Sequence, residues 1–156
     1  MKPIYLIVLA TFLPLAAVAQ AQLAPGPAGE VVQAQLVPLA AADVVLEDLK
    51  YISRPVVVFA DSPDDPNFIR QMQLLARDTA DLIERDVVVI TDTDPAARTA
   101  IRLRLRPRGF SLVLMDKDLT AILRKPLPWN VREITHAIDK FPLRRQEMLE
   151  QRPAGR

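Results

Sequence analysis

Two runs of apolar, largely β-branched residues without alternation set the frame of the chain: Val56-Val57-Val58-Phe59-Ala60 and Val87 to Thr91. An unbroken apolar run bounded by polar residues and prolines reads as a strand buried on both faces. Between the two, Asp61-Ser62-Pro63-Asp64-Asp65-Pro66 predicts a loop, with Asp65 as N-cap and Pro66 at the first helical position. Phe68, Met72, Leu75, Thr79 and Leu82 then recur at alternating steps of four and three, which predicts one helix through Glu84 with that face inward. A helix of crossover length between two such strands makes them parallel, with a right-handed connection.

The second strand is followed by Asp92-Thr93-Asp94-Pro95, which repeats the cap-plus-proline chemistry and predicts a short helix to about Leu105, with Ala97, Ile101 and Leu105 inward. Phe110 to Met115 and Ala121 to Lys125 read as a third and fourth strand, joined through Asp116-Lys117-Asp118-Leu119 as a hairpin. Asn130 with Glu133 three residues on is a capping box. The helix it opens carries Val131, Ile134, Ile138 and Phe141 as its apolar stripe and ends at Pro142. Ahead of all this, Val45, Leu46 and Leu49 suit a short helical or irregular segment. The order strand, helix, strand, helix, strand, strand, helix is thioredoxin-like: an α/β three-layer sandwich on a mixed four-stranded sheet.

The first residues change the picture of where the chain works. Lys2 precedes an uncharged run from Ile4 to Val18, and small residues stand at Ala17, Ala19 and Ala21. This is the pattern of a signal peptide over residues 1–21, cleaved after Ala19 or Ala21. The run is interrupted by Pro14 and is shorter than the ~20 residues a spanning helix needs, so no stable membrane insertion is expected after cleavage. A flexible linker rich in Ala, Gln and Pro follows over residues 22–42, then the domain over 43–150 and a tail over 151–156. The mature form is expected to be exported, periplasmic or secreted.

Composition narrows the function classes. Loss of Lys2 with the leader leaves basic and acidic residues equal in number, which argues against nucleic acid as a partner. The chain has no cysteine. Thiol redox chemistry is therefore closed to it, and disulfides, which an oxidising compartment would allow, contribute nothing to its stability.

Four stretches carry a resemblance to a known family: Arg54 to Ala60 running on to Asp64-Asp65, Arg85 to Val89, Gly109 to Leu114, and Ile138 to Met148. Together they resemble the bacterial domain-of-unknown-function 4174 family, over roughly Leu46 to Leu149, and the closing Arg144-Arg145-Gln146-Glu147-Met148 is the most specific piece. The resemblance implies an exported thioredoxin-fold relative and brings no catalytic residue and no cofactor with it. Active thioredoxins carry C-x-x-C after the first strand, where this chain has Asp61 to Pro66. They also place a cis-proline before the third strand, where it has Gly109-Phe110-Ser111.

Three groups of residues are candidates for chemistry. Asp61, Asp64 and Asp65 follow the first strand and Asp92 and Asp94 the second, so a parallel pair puts both loops at one sheet edge, where open α/β sheets bind ligands. Several carboxylates together would suit a hard cation such as Ca²⁺; helix capping and turn formation explain the same residue types without one. Arg98, Arg102, Arg104, Arg106 and Arg108 either receive a carboxylate, a phosphate or an acidic partner surface, or form a solvated helix face. Arg144 and Arg145 either serve recognition or pack back on the body with Glu147 as a pairing partner. His136 lies off the apolar stripe and reads as a surface residue, and Trp129 as a staple for the last helix.

The leading functional expectation is a non-catalytic binding module that engages another envelope protein. Its rival is a divalent-metal or small-ligand site, with or without catalysis, at the Asp-rich edge.

Overall fold

In the computed structural model, residues 36–151 are described. The signal-peptide segment, the linker up to residue 35 and tail residues 152–156 lie outside them. The elements run β1 (Leu39–Ala40), β2 (Arg54–Phe59), α1 (Pro66–Leu75), α2 (Thr79–Ile83), β3 (Val87–Asp92), α3 (Ala100–Leu105), β4 (Ser111–Met115), β5 (Ala121–Lys125), α4 (Val131–Ile138) and α5 (Pro142–Glu150), with 3₁₀ turns at Ala41–Asp43, Leu46–Leu49 and Pro95–Ala97.

The sheet order is β1-β3-β2-β4-β5. β2 and β3 are parallel, from Arg54 opposite Val87 to Phe59 opposite Asp92. β4 runs antiparallel to β2, and β5 antiparallel to β4. The sheet is thus mixed as expected, but it has five strands rather than four. The extra one is a two-residue edge strand, Leu39 opposite Ile90 and Ala40 opposite Thr91. Two residues are too few to show a period, which is why no pattern announces it.

Side chains of β2 and β4 alternate between two cores, one on each face of the sheet. Val56, Val58, Leu112 and Leu114 pack with Leu75, Leu82, Ile134 and Ile138 from α1, α2 and α4. Val57, Phe59, Val113 and Met115 pack with Ile101 and Leu105 of α3 and with Ala41 and Leu46 of the first two 3₁₀ turns. All four β2 side chains in these clusters are fully buried, each contributing roughly 1.5–3 kcal/mol. The unbroken apolar run follows from having helices on both sides.

Four local expectations are corrected. The single helix through Glu84 is two, because Asp78 (φ −130°, ψ 57°) leaves the helical region. Ala76, Arg77 and Asp78 add nothing apolar to the stripe, and Leu82 returns to the same core after the break. Ala97 is exposed at the end of an isolated 3₁₀ turn, cut off from α3 by left-handed Arg98. The last stripe helix ends at Ile138. Pro142 then opens α5 at its first position, where its missing N–H has no partner to lose.

The capping box is present: Asn130 Oδ1 accepts from Glu133 N–H and Glu133 Oε2 from Asn130 N–H, both at 2.9 Å. A side chain without a sequence signal reinforces it. Gln71, fully buried on α1, donates to Trp129 O at 2.9 Å and accepts from Trp129 N–H at 2.8 Å, holding the backbone that leads into α4.

Candidate functional site

The parallel strands end together at Phe59-Ala60 and Asp92, and a single arginine ties them. Arg102 of α3 donates from Nε to Asp92 Oδ1 at 2.9 Å and from Nη2 to Ala60 O at 2.7 Å and Asp92 O at 3.0 Å. Its guanidinium carbon lies 5.5 Å from the Phe59 ring centroid. The other oxygen of Asp92 accepts from Thr99 Oγ1 at 2.6 Å. Asp92 is therefore buried with both oxygens engaged by protein donors.

Two of the remaining aspartates of this edge are also occupied with local structure. Asp65 caps α1 by accepting from Asn67 and Phe68 N–H. Asp94 accepts from Ala96 N–H. Asp61 is exposed, with Oδ1 3.7 Å from Arg102 Nη1, and Asp64 is exposed in the loop. Among the described residues, Asp61, Asp64, Asp65, Asp92 and Asp94 do not form a group able to hold a metal ion. Capping and strand tying account for Asp65, Asp94 and Asp92, while Asp61 and Asp64 stand exposed in the loop after β2.

The arginines split into separate tasks. Arg102 is buried and structural. Arg104 pairs with Glu47 at 3.0 Å and donates to Leu119 O. Arg98 and Arg106 both have left-handed backbones (φ 46°) and are exposed, as is Arg108. Arg106 and Arg108, with Arg124 of β5, border an open depression of about 450 Å³ at the turn between α3 and β4. Arg124 carries no signal in the sequence, where an Arg on an edge strand ordinarily marks protection of that edge. Gly109 closes this turn at φ 56°, a conformation that strains any residue with a Cβ.

At the opposite end of the sheet lies a second charged assembly, several of whose members, Arg54, Arg85, Asp139, Arg144 and Glu147, come from the segments that carry the family resemblance. Arg54, completely buried, donates from Nε to Asp116 Oδ1 at 3.1 Å, from Nη1 to Arg85 O at 3.0 Å and from Nη2 to Glu147 Oε1 at 2.8 Å. Lys117 adds contacts to Glu147 at 3.0 Å and Asp86 at 2.7 Å. Arg85 grips Asp139 with two bonds. Arg144, the one buried residue of α5, stands 3.5–3.6 Å from Glu84, Asp139 and Glu147, and its Nε makes no hydrogen bond. Arg145 is exposed. α5 is thus attached to the body chiefly by charge, with Leu143 N–H on Asp116 Oδ2 as its backbone tie.

Ionisation follows this geometry. Burial opposes the charge of Glu147, but hydrogen bonds from Arg54 and Lys117 outweigh it and hold its pKa below the ordinary value. The hydrogen bond from Arg85 does the same for Asp139, against desolvation. Lys117 loses solvation yet is raised by its bonds to Asp86 and Glu147. A carboxylate with a depressed folded pKa stabilises fully above its unfolded pKa, and that contribution is lost as pH falls. Lys117 works in the opposite sense, supporting the fold below about pH 10 and less above it. Stability is therefore expected to hold from neutral pH down to about 5 and to fall steeply below about 4. Glu147→Gln is expected to be less stable at neutral pH and to show a shallower acid fall. Thermal unfolding at stepped pH checks this, and an unchanged acid slope in the variant would count against the network.

A mixed sheet in which β1, β3 and β2 are parallel and β4 joins β2 antiparallel, with helices on both faces, defines a thioredoxin-like domain, here without cysteine. Two solved structures share the frame. The reduced 2-Cys peroxiredoxin of Plasmodium vivax matches with a TM-score of 0.53 at 14% identity, over 67% of this chain and 85% of that one. The reduced desulfothioredoxin of Desulfovibrio vulgaris Hildenborough matches with a TM-score of 0.51 at 16% identity, over 69% and 99%. At such identities the likeness carries the fold alone. None of the curated proteins is similar in sequence. The chain belongs to the family described as a domain of unknown function (DUF4174), whose model matches residues 45–147. No helix among the described residues is long and apolar enough to cross a membrane.

Proposed function

We propose that the domain is a non-catalytic binding module of the bacterial envelope, which uses the thioredoxin-like frame to present arginines to another exported protein. The observation that carries this reading is the state of Arg106, Arg108 and Arg124. They stand together at one end of the sheet, while other arginines of the chain, such as Arg54, Arg85, Arg102, Arg104 and Arg144, have acidic partners within the fold. Arginine is enriched at protein interfaces, and charged side chains left unpaired by folding are free to recognise something else. Export is supported by Lys2, the apolar run and the Ala17, Ala19 and Ala21 positions.

The test is crosslinking and affinity capture of the tagged mature protein from its native envelope, beside an Arg98→Gln/Arg106→Gln/Arg108→Gln variant. A stoichiometric partner lost in the variant is the expected result. Capture of nothing by either form would overturn the module reading.

A further inference from the structure

From the depression bordered by Arg106, Arg108 and Arg124 we infer an acidic-peptide site: it receives a partner segment in which carboxylate side chains stand next to an apolar one. This rests on the binding-module reading and gives its partner a chemistry.

Charge is the first argument. Among the described residues no Asp or Glu forms an ion pair with any of the three guanidiniums. Three like charges around one opening repel, and an anion there relieves the repulsion. One of the three is already positioned. Arg124 donates from Nη2 to Leu105 O at 2.6 Å and from Nη1 to Ser111 Oγ at 3.3 Å. A guanidinium has five donors, so this tether fixes the group while leaving N–H bonds for a ligand.

The walls are the second argument. Leu105, Phe110 and Pro126 line the same depression, and its volume of about 450 Å³ exceeds what one small anion fills. An apolar side chain beside the carboxylate uses that surface.

The third argument concerns the kind of anion. The depression lies at the C-terminal end of α3, where Leu105 is the last helical residue and the carbonyl end of the helix is negative. Phosphate sites characteristically use the opposite, N–H-bearing end of a helix. A monovalent carboxylate suffers less than a dianion from the carbonyl end. Three positive charges also exceed what one carboxylate offsets, which favours a segment with two or more acidic residues over a small free acid.

The experiment uses the mature full chain and a labelled pool of end-blocked hexapeptides, in which two Glu flank varied apolar residues, read by fluorescence anisotropy. Binding is expected, weakened about tenfold or more both by Arg106→Gln/Arg108→Gln and by a pool with Gln for Glu. Because both arginines are exposed, the variant's unfolding midpoint stays at the wild-type value. Affinity is expected to fall between about 50 and 300 mM salt, and inorganic phosphate at about 10 mM does not displace the peptide. Absence of peptide binding, equal binding to the variant, or saturable binding of phosphate or hexanoate in place of the peptide would overturn the inference. An envelope partner captured by wild type and lost in the arginine variant, without binding of the peptide pool, would leave the module standing and remove this site alone.

Discussion

Arg54→Ala is expected to destabilise the domain by about 3–5 kcal/mol, the usual cost of deleting one member of a buried ion pair. Arg54 is fully buried and Asp116 is 1% exposed. Without the guanidinium, Asp116 keeps its bonds from Lys117 and Leu143 N–H but loses its charge partner. Arg85 O loses a donor, and Glu147 retains Lys117 and a distant Arg144. The damage reaches α5, because Glu147 and Leu143 both dock through this centre. The chain has a single tryptophan, Trp129, partly buried against the core. Urea unfolding followed by its fluorescence reads the global loss, and limited proteolysis after α4 reads release of α5. Arg145→Ala, an exposed change on the same helix, is the control and is expected to stay within about 0.5 kcal/mol of wild type. A loss at Arg54 no larger than at Arg145 would show that the assembly adds nothing to the fold.

What the sequence made legible followed from pattern. The runs at Val56 and Val87 declared themselves because a strand buried on both faces must be apolar throughout. Asp65-Pro66 and Asn130 with Glu133 declared themselves because helix starts need acceptors, and both make the capping bonds; Asp94-Pro95 makes its bond too, but on the 3₁₀ turn, and α3 is capped by Thr99. Leu39–Ala40 and α5 were hidden for opposite reasons. The first is too short to have a period. The second buries one residue, and that residue is an arginine, so an apolar stripe was the wrong signal to seek.

The charged residues were the least legible, since composition cannot say which charges are spent on one another. Arg98, Arg102, Arg104, Arg106 and Arg108 look alike in a string, yet one is buried, one is surface-paired and three are free of ion pairs among the described residues. The discriminating fact is three-dimensional: Arg102 faces the strand ends, whereas Arg106 and Arg108 follow a left-handed turn away from the helix. The same holds for Arg54 and Glu147, far apart in the chain and 2.8 Å apart in the fold. Their contact gives a physical meaning to the resemblance. Arg54 opens the first of its segments and Glu147 lies in the closing one, so the two stretches meet in one charged assembly around the buried Arg54.

Arg102→Ala is expected to cost a similar 3–5 kcal/mol, by a different route. Here the arginine spans the ends of β2 and β3, so its removal leaves Ala60 O and the Asp92 carbonyl without their side-chain donor. The Asp92 carboxylate, in a residue 5% exposed, keeps Thr99 Oγ1 and Asp94 N–H as donors. Arg102→Lys is not expected to restore the fold, since an ammonium cannot make the forked contacts to Asp92 and Ala60 at once. Asp92→Asn preserves shape and removes charge, and its expected cost is smaller, about 1.5–3 kcal/mol. Urea unfolding orders the three variants. Hydrogen exchange separates this arginine from Arg54, because Arg102→Ala is expected to speed exchange first at the strand ends and the Thr99–Leu105 turn of α3. α5 is expected to keep wild-type protection in that variant below the unfolding transition. Since α3 leads directly into the turn that presents Arg106 and Arg108, the same variant is expected to weaken acidic-peptide binding while both of those arginines remain. If Arg102→Ala unfolds within about 0.5 kcal/mol of wild type, the strand-end tie is not a structural element. The edge where thioredoxins keep their thiols would then need another explanation for its buried charge.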